Sequence, residues 1–311
     1  MMPVMRSFMK RLAPLLLGAF VVLLPAGTGS GQAPERFELA QKPRPGDHYN
    51  FKVYSRYQIN ARTQEGEVRM SLTYGYGLDY QVLEMDKRRN ITNRITIHSM
   101  LMRVSGPFGT TVDFDSTDPF QEPALENSIL ASLMGFTLDV KINPSGRVVH
   151  VKGFEELIKE IGKLLPDSPD KRSTLKNLRS QLDYKTMMGA TDQLALYPKQ
   201  PVAVGDSWQG INQFNSNGLD LISEDRYEIK GRKDGVVFID LASQIKPRTN
   251  SGPKAMNVTG SQRGVIEVLE ENGWVHRLRL EQEITGTAKP EPGSDQSFQM
   301  SVAGTVIIEP F

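Results

Sequence analysis

The sequence predicts a β-dominated α+β fold: a curved antiparallel sheet or open half-barrel with a few amphipathic helices packed against it. Three observations carry this. Apolar residues alternate with polar ones over long stretches, Asp-Gly and Asn-Gly turn signals separate those stretches, and one central region switches to helical spacing.

Tyr49, Phe51, Val53, Tyr57 and Ile59 keep one parity and predict a half-buried strand, interrupted on that face only by Ser55. Val68, Met70, Leu72, Tyr74, Tyr76, Leu78, Tyr80 and Val82 hold one parity still longer. Gly75 and Gly77 lie on the other face, where a strand bends or another backbone comes close. Ile91 to Leu101 continues the pattern, and Thr110 to Phe114 is a further short strand. The run Asp115-Ser116-Thr117-Asp118-Pro119 is expected to cap a short helix that carries Ile129, Leu130, Leu133 and Met134 and stops at Gly135. A hairpin follows, with Phe136 to Ile142 outgoing, Asn143-Pro144-Ser145-Gly146 as its turn and Val148 to Val151 returning.

The period then changes. Phe154, Leu157, Ile158, Ile161, Leu164 and Leu165 form one helical stripe, and Leu175, Leu178 and Leu182 begin another after the breaker Pro166-Asp167-Ser168-Pro169. Strands resume after Pro198. Leu219 to Ile222 and Tyr227 to Ile229 lead through Lys233-Asp234-Gly235 into Val236 to Ile239. Val265 to Leu269 meets Val275, Leu278 and Leu280 across Glu271-Asn272-Gly273, and a last strand carries Phe298, Met300, Val302 and Ile307. Arg248 to Lys254 and Lys289 to Asp295 read as polar loops. The organisation is therefore a single β-rich domain over 34–311, made of a first β unit at 44–152, a helical insert at 153–198 and a second β unit at 199–311.

Residues 1–33 have the order of a secretory signal peptide: Arg6, Lys10 and Arg11, an uncharged apolar run from Leu12 to Leu24, then small residues. That run of 13 residues is short of the about 20 needed to cross a bilayer. Cleavage is expected between residues 27 and 33, since cutting after Gly29, Gly31 or Ala33 leaves small residues where a signal peptidase inspects the chain. The expected location is periplasmic or extracellular, and the processed chain is not expected to be an integral membrane protein. There is no cysteine, hence no disulfide framework and no lipid-modified cysteine, and stability must come from a core.

Removing the leader takes three of 37 basic residues and leaves 34 against 36 acids, about −2. Basic residues are interleaved with acids, as in Glu84-Met85-Asp86-Lys87-Arg88-Arg89, so nucleic acid is not an expected partner. Lys87-Arg88-Arg89 reads as a solvated turn.

Two segments echo each other: Arg44-Pro45-Gly46-Asp47-His48-Tyr49 and Ala203-Val204-Gly205-Asp206-Ser207-Trp208. In each, Gly permits a tight turn, Asp can bond the turning backbone, and an aromatic follows as a strand begins. Gly146-Arg147-Val148-Val149-His150 and Gly273-Trp274-Val275-His276 form a second echo, and together they suggest an old duplication. With Asp115-Ser116 and Pro119, Pro144-Ser145-Gly146 with Val148, and Pro201 to Trp208, the motif Pro45-Gly46-Asp47 with Tyr49 resembles an uncharacterised family of exported bacterial proteins, a domain of unknown function. That resemblance implies an envelope or secreted location and supplies no catalytic residues. More loosely, the arrangement is similar in fold to periplasmic carriers of lipoproteins and lipids.

Chemistry-bearing patterns are sparse. His48, His98, His150 and His276 contain no pair at helical metal spacing, although His150 and His276 hold echoed positions that a duplication could bring together. Asp113 to Asp118 is acidic, but an EF-hand loop would need Gly where Asp118 stands and Glu where Ala124 stands. Ser168 to Lys171 has Ser-x-x-Lys spacing without an identifiable base, and Gly75 and Gly77 lack the following helix of a dinucleotide loop. No catalytic, cofactor-binding or metal-binding residue is named on these grounds, and no cofactor is expected. The sequence is read as an exported non-catalytic protein that binds or carries an apolar ligand or lipid, between the Val68 to Val82 face and the leucine-rich helices. Two other readings stay open, a structural or protein-interaction component of the envelope and an unrecognised hydrolase.

Overall fold

A computed structural model of the chain describes residues 35–63, 66–120, 125–143, 148–167, 171–173, 175, 197–198, 200–216, 219–247, 256–288 and 297–311. The expected signal peptide at 1–33, the turn at Pro144-Ser145-Gly146, the continuation of the second leucine stripe through Leu178 and Leu182, Ser168, and both polar loops lie outside the described residues.

The strands are β1 (His48–Thr63), β2 (Gly66–Met85), β3 (Ile91–Gly106), β4 (Gly109–Asp115), β5 (Thr137–Ile142), β6 (Val148–Lys152), β7 (Ser207–Ser216), β8 (Leu219–Lys233), β9 (Val236–Pro247), β10 (Met256–Leu269), β11 (Val275–Ala288) and β12 (Phe298–Pro310). The helices among the described residues include α1 (Leu125–Ala131) and α2 (Phe154–Leu164). The strands join one open antiparallel sheet in the order β6-β5-β3-β2-β1-β12-β11-β10-β9-β8-β7, with β4 paired to β3 off that path. The fold is thus the β-dominated α+β class that the alternation predicts.

By compactness the chain divides into two units. One holds the chain up to Lys42, Tyr57–Arg69 and Leu196–Val306; the other holds Pro43–Arg56, Met70–Ala195 and Ile307–Phe311. In the second unit the stripe of α2 meets β3: Leu157 and Ile161 share a core with Ile97, Met100, Phe114 and Leu133, against which Tyr76, Leu78 and Ile129 also pack. An apolar sheet face and an apolar helical stripe each leave water by covering the other. The Tyr76 and Leu78 stretch of the long β2 face is therefore occupied by side chains of this chain.

Local outcomes differ from the sequence in one respect. Asp115 to Asp118 does not cap the helix, which begins at Leu125. Asp115 ends β4 and its Oδ1 accepts from the Thr117 N–H at 3.0 Å, while Asp118 Oδ1 accepts from the Phe120 N–H at 2.9 Å. Short acidic side chains satisfy whichever backbone N–H is nearest, and here that is the turn. Asp113 is spent on Arg103, 2.7 Å away. Gly77 sits at a break in the β2–β3 register, where an added Cβ would lie 2.4 Å from Ser99 Oγ. Lys87 to Arg89 is the expected turn, closed by the Arg89 N–H on the Asp86 carbonyl at 2.8 Å.

The two Gly-Asp echoes fold alike. Gly46 and Gly205 have φ of +93° and +92°. Asp47 Oδ2 accepts from the Arg44 N–H at 2.7 Å, and Asp206 Oδ2 from the Ala203 N–H at 3.1 Å. The turns then join the Val82 backbone in one unit and the Ile229 backbone in the other.

Candidate functional site

The strand registers of the first unit stack β7 to β11 into rows of directly opposed residues. Ile229, Ile239, Ile266 and Leu278 make one row across β8 to β11, all buried. The next on the same face is Trp208, Tyr227, Leu241, Gly264 and Leu280. Trp208 stacks on Tyr227 with ring centroids 5.3 Å apart. These rows are what alternation requires, since every second side chain points to the same face.

One row further on, the pattern keeps its parity and changes its chemistry. Gly210, Asp225, Ser243, Gln262 and Gln282 stand opposite one another. Asp225 is 5% exposed, Ser243 1%, Gln262 3% and Gln282 2%. The row beyond is Ser223, Ile245, Gly260 and Ile284. Four adjacent strands therefore carry a polar stripe with Leu241 and Leu280 on one side and Ile245 and Ile284 on the other.

The stripe is partly satisfied from within. Asp225 Oδ1 accepts from the Ser223 hydroxyl, and Oδ2 from Tyr227 Oη at 3.4 Å. Burial, then the neighbouring Asp225 carboxyl, pushes the Tyr227 phenol well above its ordinary pKa, which keeps it a neutral donor. Ser243 Oγ, Gln262 Nε2 and both carboxamide atoms of Gln282 have no hydrogen-bond partner among the described residues. A buried polar group without a partner costs about 1–3 kcal/mol, so these atoms are a local cost carried by the unit's interior. Along β10 the stripe is hemmed in. A Cβ at Gly264 would lie 2.0 Å from the Arg279 carbonyl oxygen, and one at Gly260 2.8 Å from that of Glu283, so both positions need glycine for the close approach of β11.

The sequence-predicted groups distribute differently. His48 on β1 and His98 on β3 converge on Asp79 of β2: His48 Nε2 donates to Oδ1 at 2.5 Å, and His98 Nε2 lies 3.4 Å from Oδ2. Ser99 pairs with Gly77 and Ile97 with Leu78, so His98 is the extra residue at the register break, and the bulge turns it toward Asp79. Among the described residues no group of three or more ligand-type side chains is set to hold a metal ion. His150 and His276 fall in separate units. Lys171 pairs with Asp167 at 2.7 Å.

An open cleft of about 520 Å³ beside Glu35 and Phe37 contains Arg232, whose guanidinium is taken by Glu270 at 2.7 Å and Glu35 at 3.2 Å. The polar stripe is the feature that sequence reading missed. Its signal is present in Leu278, Leu280, Gln282, Ile284, where parity runs unbroken through a glutamine, and in Leu241, Ser243, Ile245.

A family model described as Family of unknown function (DUF6263) matches residues 89–275. No curated protein matches. Among solved structures, the chain is distantly similar to that of "Lipid-protein interactions in lipovitellin", with 10% identity and a TM-score of 0.46 over 86% of this chain. It spans 25% of that protein's chain. It also aligns with DynF from the dynemicin biosynthesis pathway of Micromonospora chersina at 7% identity, a TM-score of 0.19, and coverage of 93% of this chain and 94% of that one.

Proposed function

We propose that the chain, which belongs to the family of unknown function DUF6263, is an exported, non-catalytic binding protein that holds an amphipathic ligand on the β8 to β11 face of its first unit. The observation that carries this reading is the buried polar stripe. Leu241 and Leu280 flank it on one side and Ile245 and Ile284 on the other, and Ser243, Gln262 and Gln282 present atoms within it that have no partner among the described residues. An apolar body would lie along Leu241, Leu280 and Ile284, and a polar group would complete the hydrogen bonds of the stripe. The site suggested by sequence, between the β2 face and α2, is filled at Tyr76 and Leu78 by packing on the helical core, so this reading looks to the unpartnered polar atoms of the first unit instead. Export is inferred from the leader at 1–33.

Native mass spectrometry of protein recovered from an envelope or secreted fraction tests this. The expected spectrum has a leaderless chain carrying a non-covalent small-molecule adduct. A clean apo mass that takes up no added lipid would remove the reading.

A second reading, an interaction component of the envelope, draws on β7, which ends the strand order and leaves Ile211 65% exposed. An end strand presents unpaired backbone groups to another chain. Crosslinking in cells through a photoreactive residue at Ile211 would trap a partner if this reading holds; a monomer alone would end it.

A further inference from the structure

We infer that the molecule held on the β8 to β11 face has an uncharged, hydroxyl- or amide-bearing head and not an anionic one. The inference rests on the reading of that face as a binding site.

The unused hydrogen-bonding capacity of the stripe is mixed. Gln262 Nε2 and Gln282 Nε2 can only donate, Gln282 Oε1 can only accept, and Ser243 Oγ can do either. A hydroxyl or an amide supplies both kinds of partner. A carboxylate or phosphate diester supplies acceptors alone, and would leave Gln282 Oε1 unmet in a dry interior.

Charge points the same way. Among the described residues, Asp225 is the only buried side chain of acidic or basic type, so no buried Lys or Arg stands ready for an anion. An anionic head beside Gln262 and Ser243 would be desolvated without a counter-charge and within the same row as a carboxyl group. A cationic head finds Asp225 already accepting from Ser223 and Tyr227. A neutral head loses only hydrogen bonds to water, and the stripe returns them.

Three probes with one acyl chain separate the possibilities: monooleoylglycerol, oleate and oleylamine, each titrated into the full processed chain at neutral pH. Trp208 fluorescence in a Trp274→Phe background reports binding, because Trp208 stacks on the Tyr227 that bonds Asp225. Monooleoylglycerol is expected to bind at least about tenfold more tightly than either charged analogue, which corresponds to one good hydrogen bond's worth of discrimination. Gln282→Leu, which removes both the donor and the acceptor of that carboxamide, is expected to abolish that preference. A thermal melt of Gln282→Leu identifies a folding failure, and Ser243→Ala then serves as the second variant. Equal or tighter binding of oleate or oleylamine overturns the head-group assignment and leaves the binding reading intact. Failure of all three probes to bind overturns both.

Discussion

Gln262 on β10 and Gln282 on β11 stand directly opposite each other, both buried, and three of their four side-chain polar atoms have no hydrogen-bond partner among the described residues. Sheets normally place apolar pairs at such positions, because a cross-strand pair on a buried face is stabilised by the area it removes from water. Here the carboxamides lie in the middle of an apolar surface and stretch the polar stripe from Asp225 to the third neighbouring strand.

Ligand-free Gln262→Leu is expected to be as stable as the parent or more so. Exchanging a carboxamide whose buried Nε2 lacks a partner among the described residues for a hydrocarbon of similar size relieves a penalty of about 1–3 kcal/mol. Urea denaturation of delipidated protein measures it. A loss of stability of that size would mean that the Gln262 carboxamide is bonded in the folded chain.

Gly264→Ala is expected to destabilise the first unit strongly. The added Cβ meets the Arg279 carbonyl oxygen at 2.0 Å and Leu280 Cδ2 at 2.5 Å, and backbone cannot move aside as a side chain can. Overpacking of this kind costs about 1–3 kcal/mol or more, readable as a lowered thermal midpoint.

Ile161→Ala is expected to cost about 2–5 kcal/mol, since Ile161 is fully buried between α2 and β3. Lys163→Ala, on the exposed side of the same helix, is expected to change stability by less than about 0.5 kcal/mol. Paired chemical denaturation curves give both values. Equal effects would mean that the helical stripe does not face the sheet.

Burial, with a smaller effect of Tyr74, pushes the Tyr76 phenol up to about 12. A raised folded-state value favours the neutral phenol in the native chain. Its contribution to stability is therefore complete below about pH 10 and is lost as pH climbs toward 12. Tyr76→Phe is expected to shift the alkaline unfolding midpoint upward, followed by phenolate absorbance and circular dichroism together. An unchanged midpoint would place the hydroxyl in water.

Lys141, followed by Asn90 and the backbone of the turn, holds the Asp86 carboxyl well below the usual carboxylate range. A lowered folded-state value gives stability that is present above the unfolded value and fades as pH falls through the folded one. Asp86→Asn is thus expected to melt below the parent at neutral pH, with the gap closing only in strong acid. A gap that is the same at pH 7 and in strong acid would assign the loss to geometry alone.

Much of the sheet is legible in the sequence, because strands with one apolar parity, such as Val68 to Val82, announce themselves and Asn272-Gly273 marks its own hairpin. The helical stripe from Phe154 to Leu165 is equally plain. Where polar residues face inward the reading stops early. β8 is visible at Leu219 to Ile222 and Tyr227 to Ile229 but not through Ser223 and Asp225, which share the buried parity. β7 carries little apolar alternation, and its pairing with β8 shows only in the register. The His48, Asp79 and His98 cluster is assembled from three strands and a bulge, and no local spacing encodes it. The same holds for the polar stripe, whose members from Asp225 to Gln282 are 18 to 20 residues apart and meet only through register.

The most direct test of ligand binding in the first unit is a high-resolution crystal structure of protein purified without delipidation. The expected result is density for a non-protein amphiphile within hydrogen-bonding distance of Gln262 and Gln282, its chain lying against Leu241, Leu280 or Ile284. An interior in which both carboxamides bond only protein or ordered water, with no space for a guest, would contradict it.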